Sequence, residues 1–121
     1  MIRGIGVDII CTSRIIKIFE RRKTFVERFC KRILRIDEQD TRPDLNDKNK
    51  LIFWISVRWA AKEAAFKAVN FEQKLRWKDI QICKYKNNQP YIQLWSQGKQ
   101  TEQMKLSISH DGKYIIAFVA W

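Results

Sequence analysis

The stretch Arg58-Trp59-Ala60-Ala61-Lys62-Glu63-Ala64-Ala65-Phe66-Lys67-Ala68 restricts the fold more than any other part of the chain. Ala, Lys, Glu and Arg favour helix, and neither Gly nor Pro interrupts them. The residues just before it, Leu51-Ile52-Phe53-Trp54-Ile55, are apolar on every face, which predicts a buried helix running into a charged end. At helical spacing Arg58 and Lys62 share one edge, and Glu63 and Lys67 share another about 100° further round. One carboxylate among three cations suits a polyanionic, metal-bound ligand. Two ordinary ion pairs on a solvated edge would give the same spacing, so both readings stand at this point.

Before that helix, Ile2 to Ile10 is a β-branched run with two glycines, predicting a strand that passes close to a ligand or another backbone. Asp8 stands in it among Ile5, Val7, Ile9 and Ile10. A carboxylate there is costly to desolvate unless it is paired, metal-bound or at a strand end near solvent. Thr12 or Ser13 is the expected cap of a first helix, whose apolar Ile15, Ile16 and Phe19 alternate with Arg14, Lys17, Arg21, Arg22 and Lys23. That face can dock an acidic surface, although such runs are usually just solvated. A second helix is expected from Thr24 to Leu34, burying Phe25, Val26, Phe29 and Ile33. An acidic turn at Asp37, Glu38 and Asp40 and a polar loop from Thr41 to Lys50 then lead into the long helix.

After Val69 the period changes from helix to strand. Trp77 to Lys86 and Tyr91 to Trp95 flank the turn Asn87-Asn88-Gln89-Pro90, and Met104 to Ser109 and Tyr114 to Trp121 flank Asp111-Gly112, giving two expected hairpins. The order predicts an α+β fold, a mostly antiparallel sheet packed on the long central helix, in one domain spanning residues 1–121. The last turn carries the chain's only histidine, His110, in Ser107-Ile108-Ser109-His110-Asp111; Ser107 and Ser109 share one strand face and His110 takes the other. A histidine there can donate to a phosphate, or be a plain surface residue.

Charge narrows the partner. Twenty-four Lys and Arg against 13 Asp and Glu leave a net charge of +11, which attracts nucleic acid, anionic lipid, acidic proteins or phosphorylated small molecules. Cys11, Cys30 and Cys83 have no paired or metal-type spacing and read as reduced thiols of an intracellular protein. No stretch approaches the roughly 20 apolar residues of a membrane span, so no membrane partner is expected. The N-terminus lacks the charged-then-apolar order of a signal peptide.

Taken together, the Ile-Gly-Val-Asp strand ending at Asp8, the Arg-x-Ala-Ala-Lys-Glu-Ala-x-x-Lys-Ala helix and the Ser-x-Ser-His-Asp hairpin closely resemble the 4'-phosphopantetheinyl transferases, and among them the small holo-[acyl-carrier-protein] synthase type. Arg14-Ile15, Glu27-Arg28-Phe29, Arg32-Ile33-Leu34, Glu38 and Pro90 extend the resemblance nearly end to end. It implies transfer of the phosphopantetheine arm of coenzyme A to a serine of apo acyl carrier protein, with Mg²⁺ required and 3',5'-ADP released. Asp8 and Glu63 would then be the metal ligands, and Lys67 would contact the phosphates and stabilise the leaving group. Arg58 and Lys62 would hold coenzyme A phosphates, with Pro90, Ser109 and His110 near the nucleotide. Arg14, Lys17, Arg21 and Arg22 would receive the acidic carrier; only Arg14 matches a family position well, and the other three rest on charge.

The resemblance further implies a homotrimer with sites between subunits. Five Trp, seven Phe, three Tyr and a last strand without clean polar alternation agree with a sheet face that a partner covers. Two features depart from the pattern. Val69-Asn70-Phe71-Glu72 replaces the family's Leu-Gly pair and following glycine, and Trp59 stands where Phe is usual. The rival reading, a basic nucleic-acid-binding module, has the net charge and aromatics in its favour. Against it, the aromatics lie in apolar runs and no nucleic-acid motif is present. The Trp77-Lys78-Asp79 stretch and a pI near 9.9 tilt the expected location within the cell from cytoplasmic towards mitochondrial.

Overall fold

A computed structural model describes residues 1–70 and 72–121. Strand β1 (Ile5–Cys11) runs directly into helix α1 (Thr12–Arg21), followed by α2 (Phe25–Arg32), a single turn α3 (Ile36–Gln39) and the long α4 (Lys48–Val69). A 3-10 turn at Trp77–Asp79 leads to β2 (Ile80–Lys84), β3 (Pro90–Ser96), β4 (Lys99–Asp111) and β5 (Tyr114–Ala120). The five strands form one wholly antiparallel sheet in the order β1-β5-β4-β3-β2. The α+β expectation holds, with the long helix packed on the sheet at β1 and β5.

Several local expectations change. Cys11, not Thr12 or Ser13, occupies the start of α1, and no side chain caps it. The 77–79 segment is a 3-10 turn rather than strand. The two expected hairpins are one continuous meander, because β4 reaches back to Lys99 and pairs with β3. The final turn sits one residue later, at Gly112-Lys113, with Gly112 at a φ of 56° that L-residues avoid. Helix α4 begins inside the expected loop, where Asp47 accepts from the Lys50 backbone N–H at 3.3 Å. It closes on Asn70 in left-handed backbone. The expected departure at 69–72 includes Phe71, which lies outside the described residues.

The glycines of β1 answer the question of what approaches the strand. A Cβ at Gly4 would collide with the Ala68 carbonyl, and one at Gly6 with the Ala64 carbonyl. Backbone therefore meets backbone, and Ala60, Ala61, Ala64, Ala65 and Ala68 are buried to allow it. This contact sets what α4 can present to β1. The opposite sheet face is bare: Ile5, Val7, Ile9, Tyr114, Ile116 and Phe118 are all exposed, while Ile115, Ala117 and Val119 are buried against the helix. Among the described residues no helix is long and apolar enough to cross a membrane.

Candidate active site

Strand alternation turns Gly6, Asp8 and Ile10 toward α4 and Ile5, Val7 and Ile9 away from it. Asp8 is thus half-buried at the strand–helix seam. There Lys67, reaching back from the last turn of α4, donates to Asp8 Oδ1 at 3.1 Å and to the Val7 carbonyl at 2.9 Å. Lys67 remains 54% exposed, so the pair straddles the surface and is worth at most about 1 kcal/mol. An incoming anion can draw the lysine away at little cost.

Glu63 lies one turn before Lys67 on the same edge of α4 and is half-buried. No hydrogen bond or ion pair among the described residues uses its carboxylate. Gly4 against Ala68 and Gly6 against Ala64 show how strand and helix are phased: two residues along one match four along the other. Continuing that phase brings Asp8 level with the turn that ends at Glu63. Two carboxylates, one lacking a donor and one held only by an exposed lysine, suit a hard divalent cation that takes its other ligands from phosphates and water. Among the described residues no cluster of three or more His, Cys, Asp or Glu offers a closed metal cage.

The family model for the 4'-phosphopantetheinyl transferase superfamily matches residues 4–119. The chain belongs to this superfamily. A holo-[acyl-carrier-protein] synthase of Alkaliphilus oremlandii is 34% identical over 124 residues, covering 97% of this chain and 96% of that protein. The crystal structure of a holo-ACP-synthase from Plasmodium yoelii superposes with a TM-score of 0.79 at 32% identity, covering 99% of this chain and 94% of the other. A Bacillus anthracis holo-(acyl-carrier-protein) synthase, solved in complex with CoA (3',5'-ADP), gives 0.75 at 30% identity, covering 99% and 96%. The bacterial relatives lend no support to the expected mitochondrial location.

In this phosphopantetheinyl transferase Lys62 is sealed away from any coenzyme A phosphate, which departs from the sequence reading, while Arg58 beside it keeps a small part of its side chain at the surface. Lys62 has no exposed surface, and its ammonium spends its three protons on the Ile33 carbonyl (2.6 Å), Glu38 Oε1 (2.6 Å) and the Trp77 carbonyl (3.2 Å). Arg58 lies beside Glu38 at 3.6 Å and over the Trp54 ring at 4.2 Å, with 11% of its side chain exposed. Burial pulls the Lys62 pKa below its ordinary value against the resistance of Glu38. The same opposition pushes Arg58 down to about 10. The hub of this cluster, Glu38, is 2% exposed and also accepts from the backbone N–H of Arg35 and of Ile82. In the sequence Glu38 stood out only as part of an acidic turn and of the family likeness, not as the partner of Lys62 and Arg58. The available signal was two cations on the edge of an otherwise buried helix, which require a buried carboxylate elsewhere.

The remaining expected residues are apart from Asp8 within one chain. His110, exposed at the end of β4, stands edge-on to Phe53 with ring centroids 5.0 Å apart. Ser109 pairs with Ile116 and so lies on the bare sheet face, opposite Asp8. Pro90 opens β3, with β4 and β5 between it and β1. Arg14, Lys17 and Arg21 form one exposed stripe on α1, and Arg22 continues it. Next to that stripe is a groove of about 580 Å³, rimmed by Arg21, Arg22, Arg28 and Arg32 and floored by Phe25 and Trp59, with no acidic residue in its lining.

Proposed function

We propose that this transferase moves the 4'-phosphopantetheine arm of coenzyme A onto a serine hydroxyl of apo acyl carrier protein, with Mg²⁺ required and 3',5'-ADP released. The observation that carries the proposal is the half-exposed Lys67–Asp8 pair beside a Glu63 that has no partner of its own. Asp8 and Glu63 would hold the Mg²⁺, which when bound offsets the charge of the diphosphate. Lys67 would donate to a phosphate oxygen and stabilise charge building on the 3',5'-ADP leaving group. The serine oxygen bonds to the phosphorus of the arm as the P–O bond to 3',5'-ADP breaks. Glu63 is this chain's own candidate to accept the serine proton.

The acidic carrier docks on the stripe of Arg14, Lys17, Arg21 and Arg22, with the arginine-rimmed groove beside it. Three copies assemble through the bare face of β1 and β5, whose six exposed apolar side chains support a covered surface. His110 and Ser109 of one copy then reach the nucleotide bound by another.

The test is a transfer assay with coenzyme A, Mg²⁺ and an apo-carrier, scored as a mass gain on the carrier serine. Transfer by the parent chain and its loss in Glu63→Gln, at unchanged circular dichroism, is the expected result. Parent-like turnover in Glu63→Gln removes the metal-ligand role.

A further inference from the structure

The contact between α4 and β1 that carries the candidate site is unusually smooth. Glycine backbone at 4 and 6 lies on alanine backbone at 68 and 64, and the neighbouring buried positions 60, 61 and 65 are also alanine. Along residues 4–6 of the strand and these alanines nothing larger than a methyl group interlocks; Ile10 is the first bulky side chain of β1 on that face. Such a stretch has no protruding side chain of its own to fix the rotation of the helix, which the rest of the packing must supply. Glu63 and Lys67 both sit on this stretch and would move with it.

The flank of the same helix is held differently. The Lys62 ammonium is bound by acceptors on three separate elements: the Ile33 carbonyl at the end of α2, Glu38 on α3 and the Trp77 carbonyl in the 3-10 turn. Glu38 is itself fixed by the Arg35 backbone N–H at 3.1 Å and by the Ile82 backbone N–H of β2 at 3.3 Å. Hydrogen bonds are directional where apolar contact is not, so only one rotation and one height of α4 satisfy all of them. A buried ion pair is a weak source of stability, since apolar replacements of both partners are often neutral or better. Its presence one residue from Glu63 points to placement instead.

We infer that the Glu38–Lys62 pair sets the rotation and height of α4 and thereby positions Glu63 and Lys67 against Asp8. Neither member touches substrate; both are positioning residues. The inference rests on the transfer reading above for its kinetic readout.

The test replaces both charges at once, E38L/K62M, and follows melting, transfer kinetics and the crystal structure. The variant is expected to melt below the parent, because Arg58 loses the carboxylate beside it, while staying folded at the assay temperature. Its kcat falls at least tenfold, and its carrier KM changes less than twofold because the carrier docks on α1. Its crystal structure shows Lys67 and Asp8 no longer paired. A parental kcat, or a loss of kcat that only follows the folded fraction, overturns the inference. Should that variant not fold, E38D keeps both charges and retracts the carboxylate by one methylene. A kcat lowered threefold or more at unchanged carrier KM then supports the inference, and a parental kcat sinks it. If the parent chain transfers nothing, the transfer reading has failed on its own. The positioning role is then decided by the double variant's structure, where an intact Asp8–Lys67 pair refutes it.

Discussion

Gly6→Ala is the sharpest perturbation the fold offers, because the added methyl meets only backbone. Besides overlapping the Ala64 carbonyl oxygen, it would stand 2.8 Å from the Ala68 nitrogen and 2.9 Å from the Ala64 carbonyl carbon. None of these atoms can swing aside, as each belongs to the hydrogen-bonded ladder of α4. The helix must lift off β1 instead. Overpacking costs roughly 1–3 kcal/mol, and an obstacle of helix backbone belongs at the upper end. Restricting the unfolded chain returns about 0.4–1 kcal/mol. The net loss is about 2–2.6 kcal/mol, which for a domain of this size lowers Tm by roughly 8–10 °C. Urea and thermal melts followed by circular dichroism measure it. Transfer activity should fall further than the folded fraction, since Asp8 is two residues along and its partner Lys67 rides on the displaced helix. A Tm within about 2 °C of the parent would refute the close-contact argument.

Lys62→Met alone leaves Glu38 buried with only Arg58, at 3.6 Å, to offset its charge, and is expected to cost about 3 kcal/mol in urea melts, the low end for breaking a buried pair; a loss below about 1 kcal/mol means Arg58, solvent or a proton takes over the role of Lys62. Among the thiols, Cys11 has its pKa lowered chiefly by the Ser13 hydroxyl, whereas burial raises that of Cys83 and Cys30 is buried. Because the thiolate reacts, iodoacetamide near neutral pH should label Cys11 first, faster as pH rises, and peptide mapping that finds Cys83 ahead contradicts this. Arg14→Glu should raise the carrier KM several-fold more than the coenzyme A KM, and equal changes count against docking on α1. Chains carrying Asp8→Asn and His110→Ala, each depressed alone, should regain about a quarter of parental sites when unfolded and reassembled together.

How much of this was legible in the sequence depended on whether the deciding contact was local. The long helix and the sheet strands follow from runs whose neighbours in sequence carry the signal: an alanine-rich helix, β-branched strands, Asn and Gly turns. Asp8 stood out because a carboxylate in an isoleucine run needs a reason, and Lys67 followed because it lies one turn from Glu63. Lys62 was misplaced, and the inward turn of Arg58 missed, because helical spacing gives their edge but not what that edge faces. Their partner, Glu38, is 24 residues from Lys62 and lies on a one-turn helix that reads as an acidic turn. The bare face was only half visible, since Ile115 and Ile116 look alike in sequence while one is buried and the other exposed. Which face is covered is decided by β5 pairing with β1, a contact between the two ends of the chain.

The mixing experiment follows from the sheet register. Asp8 pairs with Ala117, Ile10 with Ile115, and Ile115 in turn with His110, so Asp8 and His110 share the helix-facing side of the sheet. They are two strands and one register row apart, which is about 12 Å between Cα atoms at ordinary sheet spacing. The imidazole, moreover, stands against Phe53, ten residues and about 15 Å before Glu63 along α4. Within one chain His110 therefore serves a different end of the helix from the Asp8–Lys67 seam. In a closed ring where each site takes Asp8 from one copy and His110 from its neighbour, random mixing of the two variants makes both contributors parental in about one site of four. If both residues act within a single chain, mixing restores none. Reassembled mixtures that stay as inactive as their separate components would therefore place the whole site in one subunit and remove the need for the bare face to be shared.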